Sequence, residues 1–378
     1  MNRVVSTAAT AAGARGAEFG RACAETIAAT WSGYLQHFEA GELAGEAEIE
    51  DWGEEALAAT AAWSPPLAEE IEGIARGAGL PAAALAAVNA RTEILAMVSA
   101  RRRAECSVIA ALDLDGGRPL AAQTWDWHQE FAGCWLVWGL TDGESGMRVQ
   151  TLTEAGMLAK LGVNSAGVAA LINVLHHESD GLLPLGVPIH VLMRRILAES
   201  ETIFDALRLI ASVQPSASTA ITLLAAEGGE DTALTAELRP GAPPGYVLPT
   251  PEGLLTHTNH FLSPGGLVGD LEPLVGPDSM FRLEILRRRG ARLRAPSGAE
   301  LVGALSSHLG GGGAICCHPE PGAALGERYG TLATVVVDPV AGSMRVLAGG
   351  PCEAREEDWI EVFATQPQTQ EVLDVRSD

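Results

Sequence analysis

The hydrophobic period of this chain changes at Cys106, and that change limits its architecture more than any other feature. Residues 17–40 carry Phe19, Cys23, Ile27, Trp31 and Tyr34 at helical spacing. Pro65-Pro66 interrupts the pattern, residues 67–78 resume it with Leu67, Ile71 and Ile74, and Pro81 suits the first turn of a helix running to about residue 100. Arg101, Arg102 and Arg103 close this leader. From Cys106 the chain breaks into short β-rich runs at 106–112, 118–127, 134–140, 147–152 and 168–174, separated by Gly- or Asp-containing turns.

Helices are predicted at 187–199 and 202–213, strands at 219–226, 233–238 and 253–257, helices again at 279–290 and 298–308, and strands at 331–337 and 343–348. Alternating blocks of strands and helix pairs predict an α+β fold of two sheets with helices packed outside them. Residues 240–251 and 310–313 are Gly/Pro-rich loops, the last ten or so residues are a polar tail, and there is no internal repeat. The switch divides the chain into a helical segment, 1–105, and a β-rich remainder, 106–378.

Several function classes fall away on composition. A formal net charge of −23 disfavours nucleic acid and anionic membrane surfaces as partners. No apolar run reaches the length of a membrane span, and the N-terminus lacks the pattern of a secretory signal. The six cysteines, Cys23, Cys106, Cys134, Cys316, Cys317 and Cys352, show no zinc-ligand spacing, so no metal is expected and they read as thiols in a reducing cytoplasm. Lys160, the one lysine, is expected to be structural.

Leu114-Asp115-Gly116-Gly117-Arg118 is a turn signal between two strand patterns. A three-residue loop there sets Leu114 against Arg118 and therefore Cys106 against Asp126, on one face of the hairpin. A change of one residue in the loop would undo that pairing. Taken alone, a cysteine on a strand is commonly a small buried hydrophobe, and an aspartate between Trp125 and Trp127 could simply end the strand. The aromatic group Trp125, Trp127, Phe131, Trp135 and Trp138 reads as core packing. His257 and His260 lack a third ligand nearby, and His176-His177 reads as a loop pair.

A longer set of motifs points further. Asn89-Ala-Arg91-Thr-Glu93 precedes Cys106; Gln123-Thr-Trp125-Asp126-Trp127, Thr153-Glu154-Ala-Gly156 and Gly162-Val-Asn164-Ser165-Ala-Gly167 follow it. Asn173-Val-Leu-His176, Gly186-Val-Pro188 and His257-Thr-Asn259-His260 complete the series. In this order the chain resembles the isopenicillin-N acyltransferase (acyl-CoA:6-aminopenicillanate acyltransferase) family of cysteine N-terminal-nucleophile hydrolases. The resemblance implies a four-layer αββα sandwich and an inactive precursor that cuts itself between Glu105 and Cys106. The two pieces, a helical α-chain and a catalytic β-chain, would stay associated.

By the same resemblance Cys106 is the nucleophile, its freed α-amine the base, Asp126 the group orienting that amine, Asn259 the oxyanion donor and Asn173 its support. The implied enzyme breaks or makes linear amide bonds of small acylated amines or amino acids through an acyl-Cys106 thioester. Acyl-CoA is a possible donor and no cofactor is needed. A strict amidohydrolase and a non-cleaving small-molecule binding module are the alternatives, and a homo-oligomer is left open. The chain departs from the family at two places: Glu105 stands where Gly is common before the cysteine, and Ala314-Ile315-Cys316-Cys317-His318 stands where Ser-Ile-Cys-Arg is frequent.

Overall fold

Strand-forming runs beyond Cys106 pair into two sheets whose inner faces share one core. A computed structural model describes residues 3–40, 44–98, 105–112, 118–227, 230–294, 296–311, 314–320, 322–324 and 327–365. The predicted turn at 114–118 lies almost wholly outside the described residues, as do the junction at 101–104 and the polar tail.

The leader forms β1 (Val4–Ser6), α1 (Ala12–Ala22), α2 (Ala24–Ala40), α3 (Glu46–Trp63), α4 (Pro65–Ala78), α5 (Ala82–Asn89) and α6 (Arg91–Val98). The helix expected over 17–40 is two helices that break at Cys23, and the one expected after Pro81 is likewise two. Helices α1 and α4 approach through glycine. A Cβ at Gly16 would lie 2.2 Å from the Glu70 carbonyl oxygen, and one at Gly77 2.4 Å from that of Ala17. At this contact Arg15 pairs with Glu70 at 2.7 Å in full burial.

Sheet B contains β2 (Glu105–Ala111), β3 (Leu120–His128), β11 (Leu254–His257), β12 (Tyr329–Asp338), β13 (Ser343–Ala348) and β14 (Ile360–Phe363). Its strand order is β11-β2-β3-β12-β13-β14. Sheet A contains β4 (Trp135–Thr141), β5 (Arg148–Glu154), β6 (Leu161–Asn164), β7 (Val168–Val174), β8 (Thr219–Glu227), β9 (Glu230–Leu238) and β10 (Gly245–Val247), with β1 added at its edge. The leader therefore supplies a strand as well as helices, because Val4-Val5-Ser6 runs parallel to Val137–Gly139.

Helices α7 (Ile189–Glu199) and α8 (Ile203–Ala211) cover sheet A with the leader, where Phe19 stacks on Trp138 at 4.0 Å between centroids. On the other side, α10 (Asp278–Gly290) and α11 (Gly298–Leu305) pack Leu286, Leu301 and Leu305 against Ile109 and Ala122 of sheet B. A short helix, α9 (Glu272–Val275), precedes α10. Val108, Ala110 and Ala121 face inward and join the large core that sheet A also fills. This is the expected four-layer αββα sandwich. Among the described residues, no helix is long and apolar enough to cross a membrane.

Candidate active site

Cys106 lies near the start of β2, between the two sheets, and is only 6% exposed. Its backbone is gripped by three side chains from distant parts of the chain. The Cys106 N–H donates to Asn259 Oδ1 at 2.9 Å. Its carbonyl oxygen accepts from Asn173 Nδ2 at 3.0 Å and from Arg282 Nη1 at 3.2 Å. Asn173 is on β7, so this bond crosses from sheet A to sheet B. Asn259 follows β11, the neighbour of β2, and its Nδ2 holds the Val174 carbonyl at 2.9 Å.

Arg282 was not among the residues singled out from the sequence. Its Nη2 donates to Asn259 Oδ1 at 3.0 Å and its Nη1 to Ser107 Oγ at 3.2 Å, while Nε pairs with Asp278 at 3.1 Å. The i,i+4 pairing with Asp278 is the only sequence signal of this residue, and it looks like an ordinary helix-surface ion pair. In fact the side chain is 1% exposed. A guanidinium thus reaches the cysteine from α10.

The hairpin register differs by one residue from the sequence expectation. Cys106 pairs with Trp125, and Asp126 pairs with Glu105. The register is offset by one residue from the one a three-residue loop would set, and every printed pair slips accordingly. Asp126 still acts on Cys106: burial first, then the Asp126 carboxylate, pushes the thiol up to about 11, opposed by the Asp126 backbone N–H, Lys160 and Arg282. Asp126 Oδ1 accepts from Thr331 Oγ1 at 2.6 Å, at a bulge in β12 between Thr331 and Ala333. Bulges of this kind re-aim side chains. Thr331 Oγ1 also accepts from the Cys317 N–H at 3.1 Å, which couples the departing segment to Asp126.

Below the hairpin lies a buried charge cluster. Glu154 receives Arg91 Nη2 at 2.9 Å and Lys160 Nζ at 2.8 Å, and Tyr34 donates to its other oxygen. Lys160 sits over the Trp125 ring at 4.4 Å and Arg91 over Trp127 at the same distance. Burial, then Arg91, lowers Lys160 to about 8. Against burial, Arg91 and Lys160 hold Glu154 far below the usual carboxylate range.

The remaining motif residues mostly tie elements together. Asn89 accepts from the Leu158 N–H at 2.9 Å, and Glu93 accepts from the Ile189 N–H at 2.8 Å at the start of α7. Asn164 holds Leu197 O and Ser200 O. The two histidines around Asn259 do not converge. His257 bonds Glu237 Oε1 and Thr258 O at 2.8 Å, and His260 bonds Ser279 Oγ at 2.8 Å. His176 pairs with Glu272 at 2.8 Å.

Residues 115–353 match the family described as Acyl-coenzyme A:6-aminopenicillanic acid acyl-transferase. The chain belongs to this family. The matched stretch holds Asp126, Asn173, Asn259 and Arg282 and begins nine residues after Cys106. The 40 kDa form of acyl-coenzyme A:6-aminopenicillanic-acid-acyltransferase from Emericella nidulans is 34% identical over 221 residues, which are 58% of this chain and 58% of that protein. The match thus spans less than two thirds of the relative. A solved structure of a Caenorhabditis elegans N-acylethanolamine-hydrolyzing acid amidase ortholog has a TM-score of 0.43 at 12% identity, over 62% of this chain and 93% of that one. A penicillin V acylase from Agrobacterium tumefaciens gives 0.41 at 12% identity, over 64% and 83%.

Within this acyl-transferase family frame, the site joins a thiol to a backbone whose nitrogen and carbonyl oxygen are both held. Asn173 Oδ1 is buried without a hydrogen-bond partner. Burial, then His257 and Arg282, lowers His260 to about 4, so it stays neutral beside Asn259 near neutral pH. Such a neutral imidazole adds no charge to the cradle.

Proposed function

We propose that the chain is a self-processing cysteine N-terminal-nucleophile enzyme that makes or breaks amide bonds of small acylated amines or amino acids through an acyl-Cys106 thioester. The observation that carries this reading is the grip of Asn259, Asn173 and Arg282 on the Cys106 backbone. A buried strand cysteine needs none of these contacts for packing.

In the first step the Cys106 thiol attacks the Glu105 carbonyl carbon. The carbon–nitrogen bond breaks, the nitrogen of Cys106 gains a proton, and Glu105 is left as a thioester on sulfur. Water then releases the Glu105 carboxylate and regenerates the thiol. The freed α-amine has a reference pKa of about 7.7–8.0, against about 8.5 for a thiol, so it can take the thiol proton near neutral pH. Asn259 Oδ1, already an acceptor for that nitrogen, suits the resulting ammonium. Asn259 Nδ2 carries two hydrogens, and the one not given to Val174 suits a developing oxyanion.

The acyl group of the substrate then passes to sulfur and on to an amine or to water. The named relative uses an acyl-coenzyme A, and we extend that donor class to this chain. We also place it in the cytoplasm, with its two pieces remaining together.

Intact-mass measurement over days at neutral pH tests the reading. The expected result is two co-eluting fragments, one ending at Glu105 and one beginning at Cys106, with a single uncut and inactive species for Cys106→Ala. Full turnover by an uncut chain would overturn it. Incubation with an acyl-CoA and an amine acceptor then separates transfer, which yields a new amide, from hydrolysis, which yields free acid alone.

A further inference from the structure

A second cluster of nucleophilic side chains lies outside the cradle, at the far end of the segment that carries Cys317. His308, Cys316, His318 and Cys352 each present one ligand atom, and these four atoms all lie within 4.8 Å of one another. His308 Nε2 is 3.2 Å from His318 Nε2. Cys316 Sγ and Cys352 Sγ are 3.5 and 3.3 Å from the same His318 nitrogen.

A single hydrogen bond at His318 Nε2 does not account for all three approaches. A neutral imidazole Nε2 has one hydrogen or one lone pair, so it serves one partner, not three. A shared cation does account for them. With Zn–S near 2.3 Å and Zn–N near 2.0–2.1 Å, the edges of a tetrahedron are about 3.3 Å for N–N and about 3.5 Å for S–N. The three separations from His318 Nε2, 3.2 Å to nitrogen and 3.5 and 3.3 Å to sulfur, lie within about 0.2 Å of those edges, and all four atoms fall within 4.8 Å of one another. Gly350 lets the backbone pass beside the sulfurs, since a Cβ there would fall 2.8 Å from Cys316 Sγ and 3.9 Å from Cys352 Sγ.

We propose that His308, Cys316, His318 and Cys352 form a Cys2His2 site for a zinc ion. Two thiolates with two imidazoles in tetrahedral array select zinc, and four protein ligands leave no open position for substrate, so the site is structural. It staples the exit of α11 to the turn at Pro351–Glu353. Between the ligands run Cys317 and, through Thr331, the hydrogen bond to Asp126. The metal therefore braces one wall of the cradle without entering it. The ligands defeat recognition from sequence because Cys352 follows His318 by 34 residues and His308 precedes Cys316 by eight.

Metal analysis of the full, tag-free chain grown in zinc-containing medium tests the proposal by inductively coupled plasma mass spectrometry. The expected content is about one zinc per chain, falling at least ~10-fold in Cys352→Ser and in His308→Ala. Both positions are exposed, so neither substitution disturbs the core. Cobalt reloading of chelator-stripped protein gives an independent readout: tetrahedral thiolate-bound cobalt(II) shows strong visible bands, and Cys352→Ser should lose them. A chain that neither carries stoichiometric metal nor takes up cobalt overturns the proposal. So does a metal-free Cys316–Cys352 disulfide in non-reducing peptide mass analysis. A stoichiometric metal other than zinc overturns the assignment to zinc.

Discussion

Around Glu154, two cations and a phenol converge on one carboxylate; around Cys106, two amides and a guanidinium converge on one stretch of backbone. Both places are buried and both draw on the leader or on distant strands. In the first, charges satisfy each other and the result is rigidity. In the second, the partners hold in place the peptide atoms that flank the thiol. Burying charge fixes the hairpin, and the fixed hairpin presents the thiol.

The sharpest way to break this contrast is to remove the anion. Glu154→Gln leaves Arg91 and Lys160 as uncompensated buried cations, and the expected loss of folding free energy is about 3–5 kcal/mol in denaturant titration. A loss below about 1 kcal/mol would mean that the cluster does not stiffen the site. Asn259→Ala attacks the other side of the contrast. Turnover should fall roughly 100–1,000-fold, well beyond any loss of folded protein. Turnover within a few-fold of the unaltered chain would remove Asn259 from the reaction.

A smaller, pH-dependent effect separates burial from pairing. Glu93 accepts from the Ile189 backbone N–H, and burial, opposed by that bond, lifts it from 4.5 to about 7. Between these values the folded chain binds the proton more tightly than the unfolded chain. Its contribution is therefore complete below about 4.5 and is lost as pH rises through 7, on the order of 3 kcal/mol. Glu93→Gln should flatten the stability profile over that window. An unchanged slope would show that Glu93 is ionised in the folded chain.

Much of the architecture is legible from residue order alone, and the reasons are local. The runs around Val108, Val137 and Val335 are short, β-branched and bounded by turn residues, so their periods survive in any context. The leader strand β1 escaped notice because three residues carry no period. The hairpin register was missed by one step because pairing depends on the loop at 113–117, where Asp115, Gly116 and Gly117 suit more than one turn length. Asn173 and Asn259 could be found only through the family motifs. Arg282 could not, since nothing in α10 marks one arginine among Arg282, Arg287, Arg288 and Arg289 as buried. The histidine and cysteine cluster depends on a long-range meeting of loops that no spacing encodes.

The edge position of β1 has a consequence for any scission at Cys106. Val4-Val5-Ser6 is hydrogen-bonded to sheet A, and Tyr34, Arg91 and Asn89 end on residues beyond the cut. A severed leader would still be a woven part of the sandwich, and peeling it off would strip a strand and most of the helices over sheet A at once. Separation of the two polypeptides would then be indistinguishable from denaturation, and a mature enzyme of two chains would behave in dilution as though it were one.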